Sequence, residues 1–126
     1  MNKVKFATLA LAATMALASG SAMAAGDAAK GKKVFKKCKA CHTIDKGGPN
    51  RVGPNIFDIA GKPAGKVAGY KYSGAMKASG VTWDDASLDK FLLKPKKFIK
   101  GTKMSFNGLK KESQRADLIA YLKSIK

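Results

Sequence analysis

A chain of 126 residues is long enough for one small domain and too short for two. Its 25 Lys and Arg residues outnumber its 8 Asp and Glu residues, and the resulting formal net charge of +17 favours acidic partners over basic ones. Two cysteines and one histidine are too few for the four ligands of a structural zinc site, which excludes that class of metal domain.

The first 24 residues have the pattern of a cleaved secretory signal peptide. Lys3 and Lys5 precede an uncharged apolar run over residues 6–18, and Ala22-Met23-Ala24 matches a signal-peptidase site. The run is shorter than the roughly 20 residues that cross a bilayer, which disfavours the alternative of a retained membrane anchor. The sequence therefore predicts a periplasmic mature domain, residues 25–126, with a formal net charge of +15 once both leader lysines are removed.

The mature chain is predicted to begin with a helix. Asp27 is placed to cap it. The residues with the helical spacing of a buried face are Gly31, Val34, Phe35 and Cys38. The stretch 45–69 is rich in Gly, Pro and Asn, which predicts an irregular loop.

Two further helices are predicted in the second half of the chain. Thr82 and Asp85 resemble a capping box, and the helix that follows ends before Pro95, with a buried face at Leu88, Phe91 and Leu92. The C-terminal segment repeats this periodicity at Leu118, Tyr121, Leu122 and Ile125. No segment alternates apolar and polar residues for long enough to predict a sheet, so the fold class is all-α. Three helices and a glycine-rich loop supply little apolar volume for a core. A further group is therefore needed to fill this thin core.

The segment Cys38-Lys39-Ala40-Cys41-His42 is the pattern that attaches haem covalently. Thiols three positions apart lie on one face of a helical turn, where they can add to the two vinyl groups of a porphyrin, and the following imidazole can reach the iron. One haem c per chain would fill the thin core. Two alternatives remain open here: a disulfide, which would close a very short loop, and a redox dithiol, which usually accompanies a βαβ pattern.

A second axial ligand is expected from a methionine of the mature chain. The leader contains three of the five methionines, which leaves Met76 and Met104. Met104 lies in an irregular stretch, residues 101–106, that could approach the haem opposite His42, although both methionines could instead be core fillers. A His and Met pair fills both axial positions and leaves none for oxygen or peroxide, which predicts electron transfer and not catalysis.

The mature chain resembles the class I c-type cytochromes, the family of mitochondrial cytochrome c and its soluble bacterial relatives, over nearly its whole length. The motifs that carry the resemblance occur in the same order, at Cys38 to Thr43, Gly53 to Asn55, Tyr70 to Ser73, Gly80 to Trp83, Pro95 to Met104 and Arg115 to Lys123. The resemblance implies three main helices with short helices and loops around one covalently bound haem. It also implies that the first and last helices cross, through Gly31, Phe35, Leu118 and Tyr121.

The same resemblance implies roles at the haem. The Pro54 carbonyl would accept a hydrogen bond from the His42 ring and so orient that ligand. Tyr72 and Trp83 would donate hydrogen bonds to a buried haem propionate, with Thr102 at the same contact. Met104 would be the second iron ligand beside His42. The implied cofactor-binding residues are Cys38, Cys41, His42, Pro54, Tyr72, Trp83, Thr102 and Met104.

Two positions depart from the family pattern. Phe91 stands where many relatives carry a tyrosine whose hydroxyl contacts the axial methionine. Met76 stands where relatives often have an asparagine near the methionine side of the haem, which makes it a rival to Met104 as a ligand. Both departures bear on the reduction potential.

These features predict a monomeric electron carrier that is not an enzyme. The expected partners are acidic docking surfaces of membrane redox complexes, such as a quinol–cytochrome c oxidoreductase, a terminal oxidase or a photosynthetic reaction centre, and no specific nucleic acid is expected. The resemblance implies that seven basic residues surround the exposed haem edge: Lys37, Arg51, Lys96, Lys97, Lys103, Lys110 and Lys111. The alternative interpretations are a peroxidase-like enzyme with an open distal site and a basic polyanion-binding protein.

Overall fold

The computed structural model describes residues 25–126, so the predicted signal peptide and its cleavage site lie outside the described residues. The described chain forms five α-helices and a 3-10 turn, Phe35–Lys37, that directly follows the first helix. The helices are α1 (Ala28–Val34), α2 (Gly74–Ala78), α3 (Asp85–Leu93), α4 (Pro95–Phe98) and α5 (Glu112–Ser124). Within residues 25–126 there is no strand, only an isolated bridge between Pro63 and Thr82. The predicted all-α class is confirmed.

Helix α1 begins where the sequence predicts because Asp27 caps it. The Asp27 carboxylate accepts hydrogen bonds from the backbone N–H groups of Ala29, at 2.9 Å, and Lys30, at 3.2 Å. These donors would otherwise have no partner inside the helix. The backbone N–H of Asp27 donates to the Asp117 carboxylate at 2.8 Å, so the cap also ties α1 to α5.

Substitution of Asp27 by alanine is expected to lower the free energy of unfolding by about 1 kcal/mol, because the side-chain cap is lost. Asp27→Asn is the matched control, since its amide oxygen can still accept the same backbone hydrogen bonds and its effect should be a few tenths of that size. Guanidinium chloride unfolding of both variants measures the difference. Equal losses in the two variants would show that the hydrogen bonds of the cap contribute little to stability.

The crossing of α1 and α5 depends on a glycine. A Cβ atom at Gly31 would overlap the carbonyl oxygen of Asp117 and lie 2.7 Å from the Tyr121 Cβ atom. The Phe35 ring lies 5.6 Å from the Tyr121 ring, centroid to centroid, and Phe35 and Leu118 are each 1% exposed. The close approach that the glycine permits lets Phe35 and Leu118 pack with almost no contact with water.

Helix α3 begins two residues later than the capping-box pattern predicts. The cap is Asp84, whose carboxylate accepts a hydrogen bond from the Ser87 backbone N–H at 2.8 Å, so the prediction of Thr82 as the cap is wrong. Thr82 instead pairs with Pro63 in the isolated bridge, which holds its backbone in an extended conformation. The predicted end before Pro95 is confirmed, and the predicted buried face at Leu88, Phe91 and Leu92 is buried.

Helix α5 carries a buried charge. Arg115 is 7% exposed, and its Nε atom donates to the Asp89 carboxylate of α3 at 2.7 Å. Its Nη1 atom donates to the carbonyl oxygens of Leu109 and Lys110, both at 2.9 Å. One side chain therefore joins α5, α3 and the segment that leads into α5. The sequence motif includes Arg115, but nothing in its spacing indicated burial.

The predicted irregular loop is confirmed over residues 45–69, where the structure has turns and bends but no helix. Ile56 and Ile59 from this loop pack against the buried core. None of the helices in residues 25–126 is long and apolar enough to cross a bilayer. A cavity lies between this loop and the helices.

Candidate functional site

A cavity of about 470 Å³ lies against the core, within the size range of ordinary ligand pockets, about 300–1,000 Å³. Its apolar lining includes Phe35, Ile56, Ile59, Leu88, Phe91, Leu92, Leu118 and Leu122. All eight residues proposed as cofactor-binding from the sequence line it as well, although they are spread along the chain: Cys38, Cys41, His42, Pro54, Tyr72, Trp83, Thr102 and Met104. The structure brings these residues together, while the role of each stays a prediction.

The imidazole of His42 is held in one orientation. Its Nδ1 atom lies 2.7 Å from the Pro54 carbonyl oxygen, which can only accept, so Nδ1 carries the proton and Nε2 keeps its lone pair. Burial lowers the pKa of His42, against the smaller opposing effect of this hydrogen bond. A neutral ring with an available Nε2 lone pair is the form that binds a metal.

The close fit around His42 requires a glycine. A Cβ atom at Gly53 would overlap Cε1 of the His42 ring and lie 2.7 Å from its Nδ1 atom. The Gly53 backbone N–H donates to the Cys41 carbonyl at 2.8 Å, which ties this turn to the cysteine segment. The cysteine segment and the Gly53–Pro54 turn therefore hold the His42 ring between them.

A polar network that the sequence analysis missed holds the Pro54 turn in place. The Asn55 side-chain amide donates to the Thr43 hydroxyl at 2.8 Å and to the Asp45 carbonyl at 2.9 Å. The Asn55 backbone N–H donates to the Asn50 side-chain oxygen at 2.9 Å. The signal that could have revealed it is the pair of Pro-Asn steps, at positions 49–50 and 54–55, since asparagine side chains bond to nearby backbone in turns.

Cys38 and Cys41 are free thiols on the turn that follows the 3-10 segment. The backbone N–H groups of Cys41 and His42 both donate to the Cys38 carbonyl, at 3.1 and 3.0 Å, so all three side chains belong to one turn. Burial, with a smaller contribution from Cys41, raises the pKa of the Cys38 thiol to about 11. Redox-active dithiols need a lowered thiol pKa, so this environment disfavours the dithiol alternative.

Aromatic side chains form another part of the lining. Trp83 is 6% exposed, and its ring lies 4.8 Å from that of Phe91. The Tyr72 hydroxyl accepts a hydrogen bond from the Val67 backbone N–H at 3.1 Å, and burial is the main cause that raises the pKa of Tyr72. Its phenol is therefore protonated at neutral pH and can donate to an acceptor in the cavity.

The two methionines of the described chain both line the cavity. Met104 follows Thr102, whose hydroxyl accepts a hydrogen bond from the Met104 backbone N–H at 3.4 Å. Met76 lies on α2 and is 8% exposed, whereas Met104 is only half-buried. Either thioether therefore borders the cavity. The methionine at position 76, where relatives often have asparagine, is part of the site itself.

The charge around the cavity is positive. Its lining includes Lys37 and Lys103 and no Asp or Glu residue among those described. The seven basic residues predicted around the haem edge are all exposed: Lys37, Arg51, Lys96, Lys97, Lys103, Lys110 and Lys111.

The donor set fits a covalently attached iron porphyrin. Two un-bridged thiols lie on the same turn as an imidazole with a free Nε2 atom, and all three border an apolar space. Thioether sulfur from a methionine and imidazole nitrogen are both established axial ligands of haem iron. A hard cation such as Mg²⁺ would need oxygen ligands, and none of the cavity-lining residues is an acid.

Comparison with known proteins points to the same chemistry. The family described as Cytochrome c matches residues 28–126. A cytochrome c of Nigella damascena is 50% identical over 76% of this chain and 87% of its own length. A cytochrome c homolog of Bradyrhizobium diazoefficiens is 53% identical over 76% of this chain, a match that spans 53% of that longer protein. The solved structure of cytochrome cH from Methylobacterium extorquens superimposes with a TM-score of 0.74 at 48% identity, covering 79% of this chain and 99% of that one.

Proposed function

Because the chain belongs to the cytochrome c family, whose members are haem-based electron carriers, we propose that it shuttles single electrons between membrane redox complexes. Cys38 and Cys41 would attach one haem c covalently, and His42 and Met104 would be the ligands of its iron. Bound haem supplies an iron that gains and loses one electron.

The observation that carries the proposal is the hydrogen bond from His42 Nδ1 to the Pro54 carbonyl at 2.7 Å. It fixes the tautomer and the ring orientation, so that Nε2 would be the atom that binds the iron. The thiols of the preceding turn anchor the same group covalently. The proposed site therefore binds and orients without providing a general acid or base.

The remaining site residues have proposed roles in binding the polar end of the porphyrin. Tyr72, Trp83 and Thr102 would bond a propionate, whose charge is costly to bury without partners. Met104 would be the second iron ligand beside His42, and this pair would leave no open site for peroxide, which the peroxidase-like alternative requires.

A spectroscopically monitored redox titration of the haem-loaded protein tests this function. The expected result is a one-electron transition, with a weak long-wavelength sulfur-to-iron band in the oxidised form. Protein that stays colourless after maturation with haem-attachment machinery would overturn the proposal. A coloured protein without the sulfur band and with an exchangeable axial position would instead favour the peroxidase-like enzyme.

The proposed partners are acidic surfaces of membrane redox complexes, and the proposed location is the periplasm. The positive lining and the exposed basic residues support acidic partners, because opposite charges raise encounter rates about 10-fold to 1,000-fold at low salt. Such contacts are fast and weak, as a mobile carrier requires. Like charge on every copy supports a monomer.

Electron transfer to a purified terminal oxidase is expected to slow as ionic strength rises. Lys37→Gln should lower the rate at low salt about two-fold or more, because Lys37 borders the cavity. Lys66→Gln is the matched control, an exposed lysine that does not itself line the cavity, and should change the rate little. Stopped-flow rates across a salt series measure both, and a rate independent of salt would contradict electrostatic docking.

A further inference from the structure

A second thioether shares the cavity with the proposed axial ligand. Met76 and Met104 are the methionines of residues 25–126, and both line the cavity. We propose that Met76 is a reserve axial ligand, which binds the iron when Met104 detaches. This inference rests on the function proposed above and adds a second sulfur to the same site.

The segment that carries Met104 packs beside α2, which carries Met76. A Cβ atom built at Gly101 would lie 3.1 Å from the Cβ atom of Ala75, the residue before Met76. The Lys103 ammonium donates to the Lys71 carbonyl at 2.6 Å, which ties the same segment to the chain just before α2. The two sulfur side chains therefore enter the cavity from adjacent pieces of backbone.

The two methionines differ in how firmly they are held. Met104 is half-buried in a stretch without helix, residues 101–106, whereas Met76 is 8% exposed on α2. Exposed irregular segments open at a lower free-energy cost than packed ones. Met104 is thus the less firmly held of the two side chains, and Met76 stays inside the cavity when Met104 detaches.

Helix α2 is also short enough to adjust. It has five residues, and its first turn is held by the Ser73 hydroxyl, which accepts a hydrogen bond from the Met76 backbone N–H at 3.0 Å. A helix of this length has little stability of its own, so its position follows its contacts. A space vacated by Met104 would let Met76 move inward without disturbing the crossing of α1 and α5.

The test compares three haem-loaded variants, Met104→Ala, Met76→Leu and the double variant. Oxidised Met104→Ala is expected to keep a sulfur-to-iron band, and the double variant to lose it. Imidazole should bind Met104→Ala about tenfold more weakly than the double variant, because a competing internal ligand reduces the fraction of open sites. Met76→Leu alone should keep the band, since Met104 remains.

Proton NMR of reduced Met104→Ala gives a second readout, the strongly upfield methyl signal of an iron-bound methionine. Met104→Leu, which preserves side-chain volume, provides the same comparison if the alanine variant is not produced. If the Met104 variants lack the band and the methyl signal and bind imidazole as tightly as the double variant, the inference is overturned while the proposed function stands. A wild-type protein without haem or without the band would overturn the proposed function itself.

Discussion

Replacing Arg115 with methionine is expected to lower the free energy of unfolding by about 3 kcal/mol, the lower end of the usual loss for a broken buried ion pair. The substitution removes hydrogen bonds to Asp89, Leu109 and Lys110 and leaves the two carbonyl oxygens without this donor. The loss falls at the lower end because the Asp89 side chain is 25% exposed, so water can solvate its charge. Guanidinium chloride unfolding of the haem-loaded protein measures the effect.

The matched control is Lys123→Met, which breaks an ion pair between the same two helices at the surface. Lys123 and Asp85 lie 3.0 Å apart, but their side chains are 52% and 49% exposed. Pairs of this kind contribute about 0–1 kcal/mol, so the control should change stability little. Arg115→Lys should recover only part of the loss, because one ammonium cannot reproduce the fork of a guanidinium. Equal effects of Arg115→Met and Lys123→Met would contradict the assigned importance of the buried pair.

Substitution of Gly53 by alanine is expected to weaken the bond between His42 and iron about 10–100-fold, the usual cost of disturbing a group that orients a metal ligand. The added Cβ atom would overlap the His42 ring and displace it from the Pro54 carbonyl. Protons compete with iron for the detached imidazole. A 10–100-fold weaker bond therefore raises the pH at which acid detaches His42 by about 1–2 units.

An acid titration of the haem spectrum measures this shift. Gly74→Ala is the matched control, because a Cβ atom at Gly74 has nothing within 4 Å, and it should leave the acid transition unchanged. Gly53 is not among the glycines with positive φ, so its backbone accepts alanine and any effect comes from the contact with His42. An acid midpoint identical to wild type would show that the ring does not depend on this close approach.

The features that the sequence predicted correctly are those encoded by short-range patterns. The Asp27 cap, the buried face of α3 and the end of α3 before Pro95 each depend on residues within a few positions of one another. The order of the family motifs, from the cysteine segment to the C-terminal helix, was sufficient to identify the family, because that order is a property of the chain alone. Local spacing was misleading at Thr82, where a bridge to Pro63 took the backbone out of the helix.

What the sequence determined by itself is the helical class, the haem-attachment pattern, the family and the excess of positive charge, because periodicity, motif spacing and composition do not depend on how the chain folds. Only the tertiary structure decided that Arg115 is buried against Asp89 and that Asn55 holds the Pro54 turn. The bonds from Arg115 to Asp89 and from Asn55 to Thr43 join residues 26 and 12 positions apart, and their energy depends on burial and distance in the folded chain.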